Sequence, residues 1–549
     1  MYKRIFFCLV LIPASMSLFA QENNEGQLSG NFQMDAQYYR EDTLIGAVVV
    51  PEQIAVNSYT NFRYTKGRFG TGVRFEAYMP PINGYKDQYK GIGIPYKYAS
   101  YDAGLLQITV GNFYEQYGSG LTLRSYEEKN LGYDNAFEGV RVRSSPYKGV
   151  YLKGLVGRQR NFWNYSGLVR GVDAEVNINR LCDSLNNSKA QLSFGGSFVS
   201  KYQADMDNTY KYPENVAAGA GRINFSYSRF MLTAEYAYKA NDPSTVNHKI
   251  YKPGEALMIS ATYSQKGLGV FVSAKRIDNM SFHSDRTATE SELNINYVPD
   301  ITKNHTYSLA AMYPYATQLN GEMGIQSEVL YTIKKGSKIG GKYGTNITVN
   351  YSAVTNIHKE APSDTSLIDV DGTLGYRSEF FWTGPDLLFS DFNICISRKF
   401  TKDFKASFTY LYQSYNQDEI HGANSKQTHG MIYSGIYIAD MTYKLNSKTA
   451  VRLELEELTT KNDYGDWCMA IVELSIPHFF FTVMDQYNYC NPDPDMRVHY
   501  YCAAVGFSKG AHRIELGYGK KRAGQLCVGG ICRAVPASNG LTLSIVSSF

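Results

Sequence analysis

Gln27-Leu28-Ser29-Gly30-Asn31-Phe32-Gln33-Met34-Asp35-Ala36-Gln37-Tyr38 is the stretch that decides the fold. Leu28, Gly30, Phe32, Met34, Ala36 and Tyr38 are apolar or small, and every residue between them is polar. Side chains of a β-strand alternate between its two faces, so one face of this strand meets an apolar surround and the other a polar interior. A strand of this kind has its first set in lipid and its second in a lumen.

The pattern recurs along the whole chain. Phe69, Thr71, Val73, Phe75 and Ala77 alternate with Gly70, Gly72, Arg74 and Glu76; Val172, Ala174, Val176 and Ile178 alternate with Asp173, Glu175, Asn177 and Asn179. Near the end, Val451, Leu453 and Leu455 alternate with Arg452, Glu454 and Glu456, and Ile514, Leu516 and Tyr518 with Arg513, Glu515 and Gly517. Charges on one face of so many strands disfavour a soluble sandwich, whose two inner faces enclose a dry core. The composition agrees: 46 Tyr, 28 Phe and 48 Gly stand against 17 Pro, which suits many strands with aromatic girdles.

Short turn signals punctuate the strands at Lys66-Gly67, Pro146 to Gly149, Lys266-Gly267, Lys334 to Ser337, Thr401 to Asp403, Asn446 to Lys448 and Ser508 to Gly510. Longer polar connections lie between them, at Lys201 to Val216, Asn241 to Gly254, Lys359 to Ser378 and Asn416 to His429. Short turns at one end and long loops at the other is the layout of an outer-membrane barrel with the short end periplasmic. Alternating segments, and roughly twenty residues per strand with its share of loop, give about 26 strands, with about 22 to 26 acceptable. Segmentation is least defined at Gly91 to Asp102 and Trp382 to Asp391. No composition shift marks a separate plug, periplasmic or extracellular domain. The expected fold is therefore all-β: a single transmembrane antiparallel β-barrel of the outer-membrane type over residues 21–549, with long extracellular loops.

Residues 1–20 read as a cleaved secretory signal, with Lys3 and Arg4 before the apolar stretch Ile5 to Leu18 and Ala20 before Gln21. That stretch is too short for a spanning helix and Pro13 interrupts it, while Cys8 lacks the small residues that precede a lipoprotein cleavage site. After Gln21 no apolar run of roughly eighteen residues occurs, so the mature chain has no helical span. The net charge is +4, and loss of Lys3 and Arg4 leaves +2, which offers no case for nucleic-acid binding.

The chain ends with Leu541, Leu543 and Ile545 alternating with Thr542 and Ser544 toward a terminal Phe549. This resembles the C-terminal signal of outer-membrane barrels, which implies the barrel-insertion machinery as a partner. In Cys527-Val528-Gly529-Gly530-Ile531-Cys532 the two glycines suit a tight hairpin turn, and Cys527 and Cys532 then face each other as a non-hydrogen-bonded pair. A disulfide staple on the extracellular side is the favoured reading, with free thiols or a metal site as alternatives. The stretch from Gly111 to Asp134-Asn135 breaks the strand pattern. Its Glu115, Arg124, Glu127 and Glu128, with Arg74 and Glu76 from the wall, are candidates to line the lumen or a constriction, although an extracellular loop with turn glycines fits equally well.

GNFYEQYGSGL at 111–121, SYEEKNLGYDNAFEGVRV at 125–142 and CVGGICRAVP at 527–536 are similar to an uncharacterised family of outer-membrane barrels from Bacteroidota. The likeness covers the mature chain, and the Ala20-Gln21 junction also fits that group. It implies fold and outer-membrane location, and no reaction.

GxSxG, HExxH and phosphate-loop motifs are absent, the His residues are isolated, and Asn491 to Asp495 reads as a turn before it reads as a Ca²⁺ site. The expectation is a non-enzyme without metal or cofactor. Two functions fit: a porin-like or substrate-transport role, slightly preferred, or a scaffold in an outer-membrane secretion or assembly complex with protein or lipoprotein partners. Membrane lipid is a partner in both.

Overall fold

The computed structural model describes residues 26–48, 50–363, 367–421, 430–528 and 531–549. The expected leader at 1–20 and the turn glycines Gly529 and Gly530 lie outside the described residues.

Among the described residues, twenty-four strands form one antiparallel sheet. Each strand pairs with its neighbours in sequence order, and the sheet closes where Ser538–Ser548 pairs with the first strand, Gln27–Arg40. Closure is required because hydrocarbon offers no water to the unpaired N–H and C=O groups of a free edge. Leu541, Leu543 and Ile545 stand opposite Tyr38, Ala36 and Met34 on one side and Tyr518, Leu516 and Ile514 on the other. Phe549 exchanges backbone hydrogen bonds with Gly30, at 2.9 and 3.0 Å. A Cβ on Gly30 would lie 2.4 Å from the Phe549 ring, so glycine there admits the terminal aromatic.

The period-two pattern sorts the side chains as the physics of a spanning strand demands. Val172 is 59% exposed and Phe75 43% on the outer face, while Arg74, Glu76, Asp173, Glu454 and Glu456 point inward and are buried. Among the described residues no helix is long and apolar enough to cross a membrane; the crossing is by strands. A closed sheet with an apolar outer surface is an outer-membrane β-barrel.

All seven short turn signals fall at the same end, with both ends of the barrel chain, Gln27 and Phe549. At the other end lie the long connections, including 114–136 and 279–321. These two add no strand to the wall, which is why the count is twenty-four and not the larger figure that residues per strand gives. Gly91–Asp102 and Thr383–Lys399, both in poorly defined segments, are wall strands.

Val172 lies in the middle of Asn164–Asn177, against lipid. Val172→Arg is expected to destabilise the folded barrel by about 2–4 kcal/mol, read from the denaturant midpoint of unfolding out of lipid vesicles. Arg at the exposed turn position Ser228 is expected to change it by less than about 1 kcal/mol.

Candidate functional site: a lumen filled by two connections

A barrel of about eight strands is filled by its own inward side chains, and lumen width grows with strand number. Twenty-four strands leave space that the wall cannot fill, and residues 114–136 and 279–321 fold into it. The first leaves the wall strand Leu106–Phe113 just beyond Gly111, whose φ of 98° and contact with Lys97 exclude a side chain. It makes two minimal hairpins, Gln116–Tyr117 with Leu123–Arg124 and Glu127–Glu128 with Tyr133–Asp134. Tyr117 and Leu123 are fully buried with Val169, Val199, Val216, Phe282 and Ile295.

The second connection runs from Leu268–Asp278 to Glu322–Ile333. Ile301, Leu309, Ala310, Tyr313 and Tyr315 pack on the inward Val354, Leu411, Ile436, Leu458 and Trp467. At roughly 1.5–3 kcal/mol for each large apolar side chain buried, this contact holds the segment as a packed core and not as a loose loop. The connections also join each other: the Arg124 N–H donates to Ile295 O at 2.8 Å, and the Tyr297 N–H to Gly120 O at 3.0 Å. Between them the Arg124 guanidinium lies over the rings of Tyr126 and Tyr297, at 4.6 and 4.0 Å.

Buried charge meets charge at each anchor. Arg74 donates to both Glu127 oxygens at 2.7 and 3.1 Å and to Asn61 at 2.9 Å. Arg160 donates to both oxygens of Glu76 at 2.9 and 2.6 Å, and to Asp134 at 2.6 Å. Oxygens of Glu76, Glu127 and Asp134 lie within 4.8 Å of one another, as in an acidic metal site. Here two guanidiniums already occupy them, so the group is an ion-pair knot tying connection to wall. Burial pushes the Glu127 carboxyl above its usual range despite Arg74. Glu115 forms a second anchor, accepting from Arg143 at 2.7 Å with Lys153 at 3.5 Å.

At the longer connection, Lys275 of the strand before it meets Glu322 of the strand after it at 2.6 Å and donates to Pro299 O within it at 2.6 Å; His305 of the connection meets the wall's Asp391 at 2.7 Å. The Glu456 carboxylate accepts from the N–H groups of Ser308 and Leu309, at 3.0 and 2.8 Å, and caps the turn they begin. His283 is enclosed, with Nδ1 against Glu292 O at 2.6 Å and Nε2 against Ser281 Oγ at 2.9 Å. Burial pushes its pKa down to about 4, so it is neutral at neutral pH, with Nδ1 donating to the carbonyl.

Of the candidates from sequence, Arg74, Glu76 and Glu127 come together in one knot, and Glu115 sits in another. Arg124 stacks between tyrosines, and Glu128 caps a turn by accepting from the Asn130 N–H at 3.2 Å. Cys527 and Cys532 are joined by a disulfide within the hairpin Gly524–Val528 and Ile531–Val535. The hairpin reaches the first connection through Arg533, which lies 4.3 Å over the Tyr85 ring and donates to Asn130 O at 3.0 Å. Asn491 to Asp495 forms a turn in which Asp493 accepts from the Asp495 N–H. Sequence reasoning did not single out Arg160, Asp134, Lys275, Glu322 or His305; Arg160 shares the parity of the outward Leu152 and Val156, so alternation places it outward, and a register irregularity at Arg158/Gln159 precedes its burial. A cavity of about 620 Å³ remains between the connections and the long loops, lined by Lys86, Tyr133, Asn135, Glu292, Asn294 and Arg533 among others.

The chain belongs to the DUF6029 family, a family of unknown function whose sequence model matches residues 1–549. No curated protein matches it in sequence. Among solved structures it is similar to the siderophore receptor PirA from Pseudomonas aeruginosa, at 10% identity over 96% of this chain and 81% of that one, with a TM-score of 0.41. It is also similar to the translocation pore of the P pilus usher PapC, at 8% identity over 95% and 99%, TM-score 0.43. A third is a mutant of the Rh. blastica porin, at 11% identity over 66% and 100%, TM-score 0.26. Likeness at this level transfers neither ligand nor mechanism.

Glu76 and Arg160 have side chains only 1% exposed. Glu76→Ala is expected to cost about 3–5 kcal/mol by leaving Arg160 buried without its main partner. The double variant Glu76→Leu, Arg160→Met is expected to recover most of that in denaturant titration, because it removes both charges.

Proposed function

We propose that this DUF6029 barrel passes a solute across the outer membrane through a lumen that rests closed, with residues 114–136 and 279–321 as its gate. The observation that carries the reading is that the closure is built from the chain's own connections, each continuous with the wall at both ends and docked on inward polar side chains. Such a gate rearranges without leaving.

Its surroundings support the same reading. Toward the short turns the inward Asn31, Arg63 and Arg513 are exposed, so water enters the lumen from that end. From the other end the cavity of about 620 Å³ reaches the first connection, so the occluding layer lies between two aqueous spaces. Its size is that of a site for a small solute. Full expulsion of the packed segment opposes the apolar burial described above; a shift of the turn on Glu456 exchanges only a few hydrogen bonds.

Liposome-swelling assays with sugars of graded size test the proposal. The wild-type barrel is expected to pass small solutes slowly, and Glu456→Ala, which frees the turn at Ser308 and Leu309, several-fold faster. A wild-type barrel and a Glu456→Ala barrel that both pass nothing, while one shortened across 279–321 passes solutes freely, would reject transport. The filled barrel would then be a scaffold for outer-membrane partners.

A further inference from the structure

Three neighbouring turns at the short-turn end carry an unbalanced charge. They join the consecutive strands from Glu322–Ile333 to Ala450–Thr460, so they adjoin along the rim. Residues 334–344 hold Lys334, Lys335, Lys338 and Lys342 with no acidic residue; residues 398–405 add four Lys or Arg and residues 444–449 two more, against Asp403 alone. This sector is net +9 in a chain of +4, so the rest of the molecule is net negative. All its lysines are exposed, and among the described residues no salt bridge engages any of its ten cations. With strands about 4.8 Å apart, adjacent turns stand about 10 Å apart, near the screening length of roughly 8 Å at physiological salt, so their like charges gain from a dense external counter-charge.

Depth and neighbours identify that counter-charge. Tyr331, Ile396 and Tyr443 are exposed outward residues near the ends of their strands here, and cations follow within a few residues of each. Ile339 is 70% exposed, Phe400 50% and Leu445 58%, all within the turns themselves. The Arg398 guanidinium lies 5.2 Å over the Phe400 ring. Exposed apolar groups interleaved with cations fit the boundary between acyl chains and headgroups, where lysine and arginine stems lie in the apolar layer and their charges in the polar one. A rim meant for a soluble acidic protein has no use for Ile339 and Leu445 in water. We infer that this sector binds the anionic phospholipid headgroups of the leaflet it faces, the periplasmic one in an outer-membrane barrel.

Native mass spectrometry of the full-length barrel, released from mixed phosphatidylcholine and phosphatidylglycerol nanodiscs, tests this. Retained lipid is expected to be enriched several-fold in phosphatidylglycerol over the bulk, and the enrichment to fall as salt rises. The variant Lys334→Gln, Lys335→Gln, Lys338→Gln, Lys342→Gln is expected to lose most of it while keeping the heat-modifiable gel mobility of a folded barrel; Lys266→Gln, outside the sector, keeps the enrichment. No enrichment in the wild type, or enrichment unchanged in the fourfold variant, overturns the inference. So does an acidic periplasmic protein whose binding the same substitutions abolish without any change in lipid. Should the fourfold variant not fold, the wild-type enrichment and its salt dependence decide alone.

Discussion

A sheet that crosses hydrocarbon can leave no backbone N–H or C=O unpaired, and the rest of this structure depends on how that demand is met. The chain meets it by laying strands side by side in sequence order until the last pairs with the first. Phe549 and Gly30 complete the seam. Once closed, the sheet turns its charged positions inward and an apolar band outward, keeps inward apolar residues such as Val354, Leu411 and Leu458 where the filling packs, and strand number sets the width to be filled.

That width explains the interior. Inward Arg, Lys, Asp and Glu would be costly in a dry core without partners, and here they find them either on an inward-folded connection, as Arg74 and Arg143 do, or on a nearby wall strand, as Arg222 and Arg452 do. Arg74 with Glu127, Arg160 with Asp134, and Glu456 with the amides of Ser308 and Leu309 each join wall to filling, while Arg160 with Glu76 ties wall strand to wall strand. Apolar burial around Leu309 and Tyr313 gives the contact its strength, and the charged anchors fix where each segment sits. The same charges that make the inner face compatible with water hold the filling in register.

Wall and filling differ in how far the sequence discloses them. Strands such as Phe69–Tyr78 and Ala450–Thr460 are legible because lipid on one face and a polar interior on the other impose a period of two. The last strand is legible for the same reason. The segment 279–321 follows no such rule: Phe282, Ile295 and Leu309 are buried by packing on the inner wall, so their spacing follows tertiary contact and no local period. Glu115, Glu127 and Glu128 stand out in sequence because the strand pattern lapses around them, yet they end in different places. Glu127 meets Arg74 on the wall, Glu115 meets Arg143, and Glu128 caps a turn. Which carboxylate meets which cation depends on separations of tens to hundreds of residues that no local pattern encodes.

A closed resting barrel requires that these two connections fill its lumen, and cryo-electron microscopy of the full-length protein in lipid nanodiscs tests that directly. The result predicted is continuous density inside the wall for residues 114–136 and 279–321, meeting it at Arg74, Arg160 and Glu456. A water-filled lumen, with both segments standing outside the barrel mouth, would contradict it.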